Sequence, residues 1–113
     1  MSVLVVLTAV LALWFTSLGA GKVLGTPSMA ERAAHVGVGL GAYRVIGLLE
    51  LAGVIGLFLG WAVTGIGVAA AVGFLLLLVG AAAAHLRAGD RLPAVAPAFV
   101  SAALVVAYLI VLL

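Results

Sequence analysis

Four charged or titratable side chains stand where apolar sequence makes them costly: Lys22, Arg44, Glu50 and His85. Glu50 is the most informative. It interrupts an apolar run six positions beyond Arg44, about 9 Å deeper along a helix axis. Inserting an acid near the middle of a membrane span costs about 2.5–3.5 kcal/mol, and less towards the interface. Such a residue must face a bundle interior and be paired, protonated or both. Arg44 lies about 120° round the same helix from Glu50, which strains a direct pair and points to partners on other helices. Lys22 closes the first apolar run and can extend its amine back into a bundle. His85 precedes Arg87 by two residues, about 3 Å deeper. Lys22, Arg44, Glu50 and His85 can therefore converge from three helices on one cavity. One reading is an ion-pair clasp that fixes helix register. Another is a site for a ligand, a quinone headgroup or a proton, with Glu50 and His85 handling the proton. A third leaves Glu50 alone against a water defect.

Other chemistry is excluded or unsupported. With no cysteine there is no disulfide, thiolate nucleophile, thiol redox pair or iron–sulfur cluster. Two histidines and three acids are too sparse for a metal site, and no catalytic motif names a reaction. The five basic residues are too few and too dispersed for a nucleic-acid surface. Asp90 reads as a turn or cap residue for the helix after it. Arg87 and Arg91 read as anchors at an interface, and His35 as a solvated side chain. Trp14, Phe15 and Trp61 read as interface or packing aromatics, and Thr16 and Ser17 as bonded to their own helix.

The elements that must position these groups follow from composition. Of 113 residues, 68% are hydrophobic and 7% charged, against about 25% charged in an ordinary soluble domain. The mean hydropathy is +1.54. A soluble monomer and a disordered chain are both excluded. One domain over residues 1–113 is expected, an all-α integral membrane bundle of four antiparallel helices. Val3 to Phe15 superficially resembles a signal peptide, but only Met1 and Ser2 precede it, so it is expected to remain as the first span.

The spans are expected at residues 3–21, 43–60, 65–86 and 93–113. Leu51 to Ala84 carries no charge, and as one helix it would be about 51 Å long, more than the hydrocarbon core requires. The chain must turn within it, at Gly60-Trp61-Ala62-Val63-Thr64-Gly65. Gly89 suits a helix C-terminus and Pro93 a first helical turn. Between the first two spans, Ser28 and Glu31 have capping-box spacing and predict a short interfacial helix over 29–36, with Glu31, Arg32 and His35 on its wet side. Gly37, Gly39 and Gly41 follow as a pliable link.

All five basic residues fall in the first and third connections. Basic excess marks the cytoplasmic face, so both termini are expected outside a plasma membrane. Lipid is as apolar as leucine, so close packing through small residues must hold the helices together. The expected stripes are Ala52, Gly56 and Gly60 on the second span, with Gly53 close by, and Ala69, Gly73, Gly80 and Ala84 on the third. They serve internal packing or a homodimer. Leu57, beside Gly56, is expected to face lipid.

Gly19-Ala20-Gly21-Lys22, the run YRVIGLLELAGVIGLFLG over 43–60 and His85-Leu86-Arg87-Ala88-Gly89-Asp90 together resemble the DoxX-like family of small four-span membrane proteins. Arg44-x-x-Gly47-x-x-Glu50 followed by His85-x-Arg87-x-Gly89-Asp90 is the most specific part. The resemblance implies a four-helix membrane bundle and carries over Lys22, Arg44, Gly47, Glu50, His85, Arg87 and Asp90. The family takes its name from a subunit of a thiosulfate–quinone oxidoreductase. Relatives are associated with membrane oxidoreductase complexes or with assembling other membrane proteins. Related bundles of the vitamin K reductase type use cysteine pairs, which this chain lacks. The resemblance therefore implies a non-catalytic subunit or assembly partner of a membrane complex, without a cofactor of its own. The alternative is binding or processing of a lipid-like or quinone ligand in a cytoplasmic-side cavity around Glu50 and His85.

Overall fold

A computed structural model describes residues 2–113. Among these residues five helices follow one another: α1 (Val3–Leu24), α2 (Pro27–His35), α3 (Leu40–Leu59), α4 (Thr64–Arg87) and α5 (Leu92–Leu112). All but α2 are long and apolar enough to cross a membrane. The bundle's longest extent is 38 Å, enough to span a hydrocarbon core of about 30 Å. Leu13, Leu76 and Ile110 are among the large apolar side chains turned outward, the surface that lipid solvates. This is a multi-pass membrane protein.

Local chemistry sets the ends of the elements. The Ser2 hydroxyl caps α1 by accepting the Val5 N–H at 3.1 Å. The helix continues past Lys22 because its terminator is Gly25, at φ +64°, a conformation that costs other residues a Cβ clash. The Thr26 N–H returns to the Gly21 carbonyl and the Gly25 N–H to that of Lys22, a Schellman closure. The ends of α2 and α4 repeat it at Gly37 (φ +73°) and Gly89 (φ +79°). Thr26, rather than Ser28, caps α2 by accepting the Met29 N–H at 3.4 Å. The reason is Pro27, whose fixed φ and missing N–H suit the first helical position and move the cap one residue ahead of it. Only Met29 and Ala33 of α2 are buried.

Close contacts follow glycine: Gly56 and Gly60 of the stripe expected on α3 make them, while the stripe expected on α4 does not. Near the α2 end, α1 and α3 touch through Gly19 and Gly47. Towards the other end, α3 meets α4 in three steps: Gly60 on Gly67, Gly56 on Ala70 and Gly53 on Phe74. The expected stripe on α4 was misplaced. Ala69 is exposed, and nothing lies within 4 Å of a Cβ on Gly73 or Gly80. Ala52 of α3 is likewise exposed. Leu57 is buried, not lipid-facing, at 0% exposure. It shares a core with Leu11, Phe15, Phe74, Val105 and Tyr108. The Phe15 and Phe74 rings stack with centroids 4.1 Å apart.

Two hydrogen bonds pin this half of the bundle. The Tyr108 hydroxyl donates to the Leu57 carbonyl at 2.6 Å. That carbonyl lies in the last turn of α3, where the Trp61 N–H turns to Phe58 instead, so an otherwise unsatisfied acceptor gains a partner. The Trp61 indole N–H donates to the Thr8 hydroxyl at 3.1 Å, tying the α3–α4 turn to α1.

Candidate functional site: a polar-ended cavity

The side chains of α4 that face α3 grow from Gly67 to Ala70 to Phe74 on approaching the α2 end. The two helices are wedged progressively apart, and beyond Phe74 the bundle opens. The resulting cavity of about 890 Å³ is lined by all five helices. Such a volume accommodates an organic ligand of ordinary size. Phe15, Leu77 and Pro97 contribute apolar lining, while Lys22, Glu50 and His85 contribute polar lining. Trp14 and Leu76 line it too, although they are 44% and 69% exposed, so its flank opens towards the acyl chains of the bilayer.

Lys22 and Glu50 form an ion pair across the α1–α3 contact, with side chains 12% and 4% exposed. Gly47 permits it: a Cβ there would stand 2.7 Å from the Lys22 Cβ. Tyr43, Gly47 and Glu50 fall on one face of α3 at helical spacing, and the Lys22 ammonium lies 5.0 Å from the Tyr43 ring centroid. That distance admits a cation–π contribution. One apolar-depth cation thus has a carboxylate and an aromatic face as its surroundings.

The structure does not bring His85 or Arg44 to Glu50. Arg44 turns to the end of α1 instead, its guanidinium against Gly25, where the helix dipole favours a cation. His85 pairs instead with Asp90. The Schellman closure at Gly89 runs from the Asp90 N–H to the His85 carbonyl at 3.0 Å. It folds Asp90 back over the last turn of α4, bringing its carboxylate 2.6 Å from His85 Nδ1. The spacing His-x-Arg-x-Gly-Asp is thereby a geometric device. Arg87, within it, is exposed at the cavity mouth.

Asp90 does not cap α5, whose N-terminal flank is Arg91 with no side-chain cap. Its carboxylate is already engaged. His35 Nε2 of α2 stands 2.8 and 3.0 Å from its two oxygens. Because a carboxylate only accepts, both imidazoles must present an N–H to it. The hydrogen bond from His85, then that from His35, holds the Asp90 carboxyl below the usual carboxylate range. The solvated reading of His35 was incomplete: the side chain is 55% exposed but bonded.

Sequence reasoning also missed Tyr43, Pro97 and Ser101 as lining residues. Pro97 sits inside α5 and its carbonyl accepts the Ser101 hydroxyl at 2.7 Å. A proline within an apolar helix, four residues before a serine, was the available signal. Among the described residues no buried side-chain nitrogen or oxygen lacks a hydrogen-bond partner. Nor does any group of three His, Asp or Glu side chains there have the geometry to hold a metal ion.

The model of the DoxX-like family matches residues 6–108. The chain belongs to the DoxX-like family. No curated protein and no solved structure matches it. The stretch matched to the DoxX-like family takes in the Lys22–Glu50 pair, the His35–Asp90–His85 cluster and every helix that lines the cavity.

Proposed function

We propose that this protein binds an amphiphilic molecule of the lipid or quinone class in the cavity at the α2 end. The observation that carries the reading is the division of the lining, with Lys22, Glu50 and His85 at one end and Phe15 and Leu77 at the other. A polar head fits against the first group and an apolar body against the second, and the open flank supplies a route from the bilayer. Lys22 can donate to an acceptor on the head, and Glu50 can accept or release a proton beside it. The α2 end, which carries the basic residues, faces the cytoplasm of a plasma membrane, with both termini outside.

One observation favours a second reading, as a non-catalytic subunit or assembly partner. Gly65, Ala69 and Gly73 turn outward on α4 at four-residue spacing, with open space around both glycines. Small residues so spaced admit another helix closely, from a second copy or another membrane protein.

Native mass spectrometry after gentle extraction separates the two. Ligand binding predicts a stoichiometric amphiphile on the protein, lost when Ala98→Phe fills the cavity. A second polypeptide and no amphiphile would favour the subunit reading. Neither, in parent protein, would overturn the ligand proposal.

A further inference from the structure

We infer that α2 is a lid over the cavity mouth, latched shut by the hydrogen bonds between His35 and Asp90. The backbone of α2 approaches α1 and α3 but neither α4 nor α5. Its Ser28, Glu31, Arg32 and His35 nevertheless line the cavity, so the helix lies across the opening with one long side unsupported by packing. The polar tie across that side, from His35 to Asp90, joins residues 55 apart in sequence.

The two halves of the latch differ in firmness. Asp90 is fixed, being held by the Schellman closure of α4 and by His85 at 2.6 Å. His35 is carried by a nine-residue helix that buries only Met29 and Ala33. The connections of α2 differ in the same way. At its start, Gly25 is packed against the Arg44 guanidinium. At its end, Gly37 and Gly39, between α2 and α3, have nothing within 4 Å of a Cβ position. The helix therefore has a braced end and a free glycine hinge, and His35 sits beside the hinge. Releasing His35 frees the end of the lid that can swing.

The latch governs access from the α2 end whatever occupies the cavity, so its test needs no ligand. The chain has no cysteine, and Ala98→Cys places a single thiol in the cavity lining. In lipid nanodiscs a charged maleimide is barred from the lipid flank and reaches that thiol through the mouth. Adding His35→Ala should accelerate labelling about tenfold, the population change that one charge-assisted hydrogen bond of ordinary strength sustains. His35→Gln, which keeps a donor for Asp90, should label close to the parent rate. Ala34→Ser, on the same helix at an exposed position outside the cavity lining, should also label like the parent. Equal rates for His35→Ala and the parent would overturn the latch. So would equal acceleration by Ala34→Ser, or equal acceleration by His35→Ala at a lone thiol placed at buried Ala71, away from the mouth, which would mark a general structural role.

Discussion

Gly19 and Gly47 meet backbone to backbone where α1 crosses α3, so closely that a Cβ on Gly47 would stand 2.7 Å from the Gly19 carbonyl oxygen. The same Cβ would also lie 3.1 Å from the Val23 nitrogen. Both neighbours are backbone and cannot rotate aside. The contact brings Lys22 over Glu50, so packing and ion pairing rest on one missing side chain.

Gly47→Ala should therefore lower the thermal midpoint in detergent by the equivalent of about 1–3 kcal/mol, the usual range for overpacking. Gly80→Ala adds a methyl in open space and should be neutral or stabilising by up to about 1 kcal/mol, since alanine is the better helix former. Equal losses for the two would mean that the α1–α3 contact is not close.

The Lys22–Glu50 pair makes a sharper test. Glu50→Gln leaves the half-enclosed ammonium without its counter-charge, and breaking a buried pair from one side costs about 3–5 kcal/mol. Combining it with Lys22→Met should recover much of that loss, because no bare charge remains. Combining it with His85→Leu should not, since His85 belongs to Asp90. Unfolding midpoints of the parent and these three variants give the answer. Recovery with His85→Leu alone would reassign the partner.

Leu57 and Leu76 separate core from lipid-facing surface. Leu57 is fully buried and Leu76 is 69% exposed. Leu57→Ala should cost about 2–5 kcal/mol, as core truncations do, and Leu76→Ala much less. Similar costs would place Leu57 at the lipid surface.

Acid should weaken the mouth of the cavity through Asp90. Its folded pKa lies below the ordinary 3.8 because two imidazole N–H groups stabilise the charged form. A depressed carboxyl pKa contributes stability that is present above the unfolded value and is lost as pH falls through the folded one. The difference in midpoint between the parent and Asp90→Asn should therefore hold at neutral pH and shrink below the ordinary carboxylate range. A difference that stays constant down to strong acid would exclude Asp90 as its source.

Orientation is directly accessible. Ser2→Cys should react with an impermeant thiol reagent on intact cells, and Ser28→Cys and Ala88→Cys only after permeabilisation. Ala88 serves better than its neighbour Gly89, whose φ of +79° disfavours any side chain. Labelling of Ser28→Cys from outside would reverse the topology.

The sequence makes the four spans legible because hydropathy and the basic connections are local, one-dimensional signals. The bonded partners of the polar side chains are not. Glu50 announces that it needs a partner, but Lys22 and His85 stand at similar heights, and only the Gly19–Gly47 approach decides between them. His35 and Asp90 meet through the path of α2 over the bundle end, which no spacing encodes. The stripe expected on α4 begins at Ala69 and Gly73, one to three residues from Gly67 and Ala70, which face α3. In an all-apolar helix, polar residues do not mark which side faces lipid, so small residues alone leave its rotation undetermined. For the same reason nothing local marks Leu57 as a core residue, a place it owes to packing with Leu11, Phe74 and Val105.

The stacked rings of Phe15 and Phe74 act as a stopper. Below them Leu11, Leu57, Val105 and Tyr108 fill the bundle, each fully buried. The chamber above is thus a blind alley rather than a conduit. Whatever enters from the bilayer or past α2 meets a wall of aromatic carbon halfway across and must depart on the side from which it came. In this arrangement the chamber serves one face of the bundle alone.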